Sequence, residues 1–237
     1  MPEPIKAKEP FRFYTRLHLS ELTGLKAFTL NQLLELIKEV PGSSIYHHTH
    51  RFLQQHQYLS PEPPNDFAYW VTEMLGEDEL GERLSSIDTI QFSTIRSLRE
   101  RIIEAIEQYL KDNPATEKRF ARQGEEFHFI KCISFILPTH YVAYDLKDFV
   151  EILNKITIDS IYFHIFESRL RLERRANDFS NWIETSIGDK DLAKKISGLD
   201  PYTHTLEDLR KVLIATIEGK KFKWQRLKHI FLSLAKR

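Results

Sequence analysis

Two histidines in matching sequence segments are the residues of this chain best suited to chemistry. His48 ends the segment Ser-Ile-Tyr-His-His, and His164 ends the segment Ser-Ile-Tyr-Phe-His, 116 positions later. A neutral imidazole can bind a divalent metal or transfer a proton near neutral pH. If the fold brings the two segments together, His48 and His164 are candidate ligands of a metal or partners in acid–base chemistry.

Carboxylates that could complete such a site also occur in pairs. Asp66 and Asp178 each lie in the motif Asn-Asp-Phe-x-x-Trp, and Glu35 and Glu151 form a second matched pair. The histidines lack the i, i+4 spacing of a His-Glu-x-x-His zinc helix. Two interpretations of the paired histidines therefore stay open: a metal or acid–base site, and buried histidines that bond to backbone carbonyls or to a tyrosine.

The Asn-Asp-Phe-x-x-Trp motif also has two interpretations. An aspartate before an amphipathic run can cap a helix, and Phe and Trp three residues apart then face the core. Alternatively, Trp and Tyr line a pocket for a sugar or a nucleobase, with Asn and Asp as polar anchors. Arg99 and Arg210 can hold a phosphate or pair with a carboxylate. The candidate binding residues are Tyr46, His48, Trp70, Arg99, Tyr162, His164, Trp182 and Arg210.

These residues recur because two parts of the chain match each other in three ordered blocks. The first block pairs "FRFYTRLHL" with "FHFIKCISF", the second pairs the Asn-Asp-Phe-x-x-Trp motifs, and the third pairs the Leu-Arg steps at Arg99 and Arg210. Two copies are too few for a solenoid, so we expect a pseudo-twofold pair with a shared core. The sequence predicts a flexible terminus over 1–10, repeat unit 1 over 11–111, a linker over 112–126, repeat unit 2 over 127–219 and a basic amphipathic helix over 220–237.

Each unit is predicted to be helical with at most one short strand. The first block alternates apolar residues with a period of two, which is typical of a strand. The apolar stripe that follows Thr29 predicts an amphipathic helix capped by that residue, and later apolar stretches predict four more helices per unit. Thr205 is the predicted cap of the last helix of the second unit, and Gly76 and Gly188 are predicted to end the third helix of each unit. The predicted fold class is mainly α, built from two tandem pseudo-twofold-related helical repeats.

Composition restricts the classes of partner and compartment. Basic and acidic residues number 34 each, so the whole chain has no net field that would attract nucleic acid or anionic lipid. Cys132 is the single cysteine, and its apolar neighbours predict a buried thiol in a reducing compartment. No apolar run approaches the roughly 20 residues that span a bilayer. We therefore expect a cytoplasmic protein without a transmembrane segment.

The carboxyl-terminal segment is the exception to this neutral balance, because residues 220–237 carry basic residues and no acidic one. Plotted as a helix, the segment has one apolar stripe that includes Trp224. It can pack on its own core, or it can bind an acidic partner, nucleic acid or an anionic membrane.

The motif set places the chain near a known family. The Ser-Ile-Tyr-x-His and Asn-Asp-Phe-x-x-Trp motifs, followed by "GLDPYTHTLEDLR", resemble an uncharacterised family of prokaryotic proteins classed as a domain of unknown function. The resemblance implies a bacterial or archaeal cytoplasmic protein and supplies no activity.

The sequence favours a non-enzymatic binding or scaffold protein without a cofactor, whose partner is another protein or a second copy. The alternative is a metal-dependent enzyme or sensor with a site at the repeat interface around His48 and His164, which would hold a divalent metal. A symmetric site should retain its polar neighbours in both copies, yet Phe163 and Phe166 replace His47 and His50. That divergence favours binding.

Overall fold

The computed structural model describes residues 6–51, 65–168, 176–199 and 205–219. In chain order its strands and α-helices are β1 (Lys6–Ala27), α1 (Leu30–Glu39), α2 (Gly42–Tyr46), α3 (Asp66–Glu73), α4 (Asp78–Ser85), α5 (Ile95–Asp112), β2 (Phe127–Asp145), α6 (Leu146–Leu153), α7 (Ile158–Tyr162), α8 (Asp178–Trp182), α9 (Lys190–Ser197) and α10 (Leu206–Ile217). Turns of π-helix extend α2, α7 and α8 over His47–Arg51, Phe163–Glu167 and Ile183–Ile187. No helix in the described ranges is long and apolar enough to cross a membrane.

The strands β1 and β2 pair with each other in an antiparallel two-stranded ribbon. Phe11 lies opposite Ala143 near one end and Ala27 lies opposite Phe127 at the other, and the register changes at two places between these pairs. Pairing along almost the whole length satisfies backbone N–H and C=O groups on the facing edges. This mutual pairing allows strands of 22 and 19 residues.

Two hydrophobic cores lie at opposite ends of this ribbon. The first contains Ala27, Phe127 and Phe129 with helices α1, α3, α4 and α5. The second contains Phe11, Phe13 and Ala143 with helices α6 to α10. Each strand therefore begins in one core and ends in the other.

The prediction of a mainly α fold with tandem helical repeats is wrong. The fold is mixed α/β and rich in helix, with two long strands in place of two short ones. The physical reason is that Phe11 and Phe13 pack in the core of the second half, while Phe127 and Phe129 pack in the core of the first. The predicted unit bounds stay a prediction, and the predicted helix over 220–237 lies outside the described residues.

The helices themselves follow the sequence pattern closely. Thr29 caps α1 by accepting a hydrogen bond from the Gln32 amide, and the predicted apolar stripe of that helix is buried. Thr205 caps α10 in the same way. Gly76 and Gly188, predicted to end the third helix of each unit, have φ values of 67° and 86°, which only glycine adopts without strain. These local predictions are confirmed.

Burial along β2 predicts a sharp contrast between two of its phenylalanines. Phe129 is fully buried, whereas Phe135 is 46% exposed. We expect Phe129→Ala to lower the free energy of unfolding by roughly 3–5 kcal/mol, the usual cost of deleting a buried aromatic ring. We expect Phe135→Ala, the matched control, to change it by about 0.5 kcal/mol or less. Urea denaturation at low protein concentration measures both, and equal losses would contradict the assignment of Phe129 to the first core.

Candidate functional site

His48 is buried and uses both of its ring nitrogens. Its Nδ1 lies 2.7 Å from Oδ2 of Asp66, and its Nε2 accepts the backbone N–H of Ile130 at 3.0 Å. Because an N–H donates to Nε2, the proton of the neutral ring lies on Nδ1 and is donated to Asp66. Burial lowers the pKa of His48 below its usual value, against the opposing effect of the Asp66 carboxylate. The ring is therefore neutral and joins α3 to β2.

His164 makes the same contacts in the other half of the molecule. Its Nδ1 lies 2.7 Å from Oδ2 of Asp178, and its Nε2 accepts the backbone N–H of Tyr14 at 2.9 Å. His164 thus joins α8 to β1.

The structure does not bring the two histidines into one site. The His48 ring packs against Phe67, Phe127 and Phe129 of the first core. The His164 ring packs against Phe11, Phe13 and Phe179 of the second core. Glu35 and Glu151, the other candidate carboxylates, are both exposed, and Glu35 pairs with Lys38.

The aspartates of the Asn-Asp-Phe-x-x-Trp motif are not the helix caps that the sequence suggested. Asn65 caps α3 by accepting from the Ala68 amide at 2.8 Å, and Asn177 caps α8 by accepting from the Ser180 amide at 2.8 Å. The asparagine takes the capping position, which leaves the next residue free to reach a histidine. The motif therefore does contain the helix cap, but the cap is the asparagine, one residue before the aspartate.

The predicted tryptophans and arginines have structural contacts. Trp70 and Trp182 are 4% and 5% exposed, and each indole N–H donates to a backbone carbonyl, that of Glu125 just before β2 and that of Glu9 within β1.

The two arginines bind backbone carbonyls at the ends of helices. Arg99 donates to the carbonyls of Lys38, in the last turn of α1, and of Val40, which follows that helix. Arg210 donates to those of Leu153, the last residue of α6, and of Ile156, which follows it. Cationic groups at helix carboxyl ends stabilise the unpaired carbonyls there.

The inner face of the ribbon covers a group of buried and half-buried polar residues that we call the polar cluster: Arg16, His18, Tyr46, Ser134 and Glu167. Glu167 is 2% exposed, contacts the Arg16 guanidinium and the Tyr46 hydroxyl, and lies 3.2 Å from Nε2 of His18. Burial acts to raise the pKa of Glu167, but the hydrogen bonds from His18 and Arg16 outweigh it and lower the pKa. The carboxylate is therefore charged and held between two strand residues and a helix residue.

His18 and Arg16 connect this carboxylate to the opposite strand. His18 Nδ1 lies 2.9 Å from Oγ of Ser134, and Arg16 donates to the same oxygen at 2.5 Å. Burial acts to lower the pKa of His18, and its hydrogen bonds with Cys132 and Glu167 reverse this and raise the pKa. The hydrogen bonds run from Ser134 to His18 and from His18 to Glu167, which is the arrangement of a nucleophile, a base and an orienting carboxylate. Arg16 binds the serine and the carboxylate as well, so the arrangement fits a charge-balanced network that fixes the helix beneath the ribbon.

Further histidines border the polar cluster. His47 Nδ1 lies 3.3 Å from the sulfur of Cys132, whose burial confirms the sequence prediction. The His50 ring stacks on Tyr46 at 5.3 Å between centroids, and the Tyr162 hydroxyl donates to the His50 carbonyl at 2.8 Å. Burial lowers the pKa of His50 to about 4.

Sequence reasoning missed the polar cluster because it looked for residues that are the same in both halves. When the two halves are aligned, Arg16 corresponds to Cys132, His18 corresponds to Ser134 and Arg51 corresponds to Glu167. Apart from Tyr46, which matches Tyr162, the cluster is built from positions where the two halves differ. A charge reversal such as the one between Arg51 and Glu167, next to the shared motif, was the available signal.

Two further features could accept a ligand. Ligand atoms of His47, His48 and Asp66 lie within 4.8 Å of one another, a spacing that could hold a cation. An open pocket of about 330 Å³ lies beside His164, and it is lined by Pro10, Phe11, Arg12, Tyr14, Ile136, Phe163, His164 and Asp178.

The outer face of the ribbon is apolar and exposed. We define the outer ribbon face as Leu17, Leu19, Ile133, Phe135 and Leu137, which are between 38% and 50% exposed. Leu17 lies opposite Phe135, and Leu19 lies opposite Ile133. A register change between Arg12 and Tyr14 separates these residues from the buried Phe11 and Phe13 of the same strand, so the predicted single apolar face has one buried part and one exposed part.

Comparison with known proteins places the chain in a family. Residues 8–218 match a family of unknown function, DUF5752. The chain belongs to this family. Among solved structures, OrfY from Thermoproteus tenax is 29% identical, with a TM-score of 0.77 over 91% of this chain and 97% of that chain. No curated protein matches.

The buried His50 predicts a defined acid sensitivity for this DUF5752 protein. Its pKa is about 4 in the folded chain and 6.5 ordinarily, so the unfolded chain binds a proton more readily. Stability is therefore lost as the pH falls from 6.5 to about 4, by roughly 3 kcal/mol from this residue. We expect His50→Phe, which introduces the residue found at the matched position 166, to flatten that part of the stability curve.

Urea denaturation at several pH values measures the effect. The matched control is His140→Gln, because His140 is exposed on β2. A His50→Phe protein that loses stability over this pH range as steeply as the parent would contradict the prediction.

Proposed function

We propose that this protein is a non-enzymatic binding or scaffold protein whose docking surface is the outer ribbon face. The observation that supports the proposal most is that five large apolar side chains lie exposed on one side of the ribbon. Contiguous exposed apolar surface on a soluble protein is typical of an interaction site. A partner that covers it gains roughly 25 cal/mol for each Å² of apolar surface removed from water.

The other side of the ribbon strengthens this argument. A two-stranded ribbon that only closes a core places its apolar side inward and its polar side in water. Here the inner side carries Arg16 and His18 over a buried carboxylate, and the outer side carries leucines. The apolar residues therefore contribute little to the cores of the isolated chain, and their burial is available to a partner.

The partner class that we propose is another protein or a second copy of the chain. The basic segment 220–237 adds an acidic partner, nucleic acid or an anionic membrane as further proposals, since its seven Lys and Arg residues would gain affinity by neutralising anions. We also propose a prokaryotic, cytoplasmic protein. Its single cysteine, the buried Cys132, suits a reducing compartment, and a similar structure comes from Thermoproteus tenax.

Photo-crosslinking in the native cells tests the docking proposal. A photoreactive phenylalanine analogue is placed at position 135, within the outer ribbon face. The control carries the same analogue at position 144, because Tyr144 is 55% exposed on the same strand but lies outside that face. We expect a protein adduct from position 135 that is absent, or at least tenfold weaker, from position 144. Equal adducts from both positions, or none from either, would remove the support for the outer ribbon face.

A second candidate function is that of a metal-dependent enzyme or sensor. The observation that favours it is the close approach of His47, His48 and Asp66. A cation there would have to replace the proton on His48 Nδ1 and break its bond to Asp66, because Nε2 is engaged by Ile130. That competition favours the binding proposal.

Elemental analysis of protein purified without a histidine tag separates the two candidates. The binding proposal expects no stoichiometric metal after purification. A stoichiometric divalent metal that is lost in His47→Phe, the variant with the residue of the matched position 163, would instead establish the metal site.

A further inference from the structure

We propose that the outer ribbon face docks against the same face of a second copy of this chain, forming a reversible homodimer. This inference rests on the proposed function and names the partner of that surface. It depends on the charge, the spacing and the size of the face.

The charge of the face suits a copy of itself. The five residues of the outer ribbon face are uncharged, and at one end Glu21 and Lys131 neutralise each other at 3.0 Å. The whole chain has equal numbers of basic and acidic residues, so two copies approach without net repulsion. A strongly charged partner would find no opposite charge on this face.

The spacing of the side chains is also self-complementary. Leu17 stands opposite Phe135 and Leu19 opposite Ile133, so four apolar groups surround the centre of the ribbon. Side chains on one face repeat about every 7 Å along a strand, and two faces pack about 10 Å apart, which lets the apolar groups of two ribbons interdigitate. An isologous contact uses the same patch on both copies, and each copy supplies the spacing that the other needs.

The small size of the face determines the strength of the contact. Five side chains that are about half exposed cover less than the roughly 800 Å² per partner of a stable interface. We therefore expect a monomer–dimer equilibrium that changes with protein concentration.

Sedimentation velocity of the full chain over a range from low micromolar to several hundred micromolar tests the inference. We expect the parent protein to shift from monomer to dimer within this range. In a dimer of the Phe135→Lys variant, each copy would place a positive charge in the same apolar contact. We therefore expect this variant to dimerise at least tenfold more weakly. The matched control Tyr144→Lys adds the same charge on the same strand, outside the face, and should leave dimerisation unchanged.

A charge-swap mixture distinguishes a second copy from any other partner. Phe135→Lys and Phe135→Glu chains should each be monomeric alone, and mixing them should restore dimers that contain one chain of each kind. If Phe135→Lys does not fold, Leu19→Lys offers a second site, because Leu19 is 49% exposed on the facing strand.

The outcomes separate this inference from the proposed function. A parent protein that stays monomeric over the whole range, or a Phe135→Lys protein that dimerises like the parent, overturns the inference. If the parent is monomeric and position 135 still crosslinks to a different protein in cells, the binding proposal stands and the self-association fails. If removal of residues 220–237 turns a monomeric parent into a dimer, the chain's own terminus is the occupant and the inference is wrong.

Discussion

Antiparallel pairing of β1 with β2 is the constraint on which the other contacts depend, because β1 supplies aromatic side chains to the second core and β2 supplies them to the first. The pairing carries Phe13 into the second core and Phe129 into the first. Neither core is complete with the helices of its own half alone. A disturbance of the ribbon is therefore expected to affect both cores, whereas a cavity in one group of helices leaves the other group intact.

The two His–Asp pairs fix this ribbon to the helices. Each ring accepts a strand N–H and donates to the aspartate at the start of a short helix, so one imidazole satisfies a backbone group and positions a helix. Both nitrogens are used in a buried, aromatic environment. The same bonds that make His48 and His164 good structural residues engage both nitrogens of each ring, so a metal would have to displace one of these bonds. A repeated histidine therefore does not by itself indicate catalysis.

Local structure could be predicted from the sequence because its causes are local. Thr29 and Thr205 cap α1 and α10 by accepting a backbone N–H only three residues further along the chain, and Gly76 ends its helix with a positive φ. The fold class could not be predicted, since nothing near Phe11 indicates that its packing partners come after residue 145. The polar cluster could not be predicted for a related reason. Arg16, Tyr46 and Glu167 meet only because each strand runs from one core to the other. The exposure of Leu17 could not be predicted either, because period two identifies a strand face and does not state whether water or a core lies next to it.

The path of each strand from one core to the other has a consequence for folding during synthesis on the ribosome. Tyr14 contacts His164, 150 positions later, so β1 leaves the ribosome long before its packing partners exist. The first helices can form early, but their core lacks Phe127 and Phe129 until the second strand is made. During that interval β1 is an unpaired strand with exposed aromatic and aliphatic side chains, the kind of segment that aggregates or recruits chaperones. Completion of the fold is therefore delayed until most of the chain has been translated, and contacts of such long sequence separation form slowly.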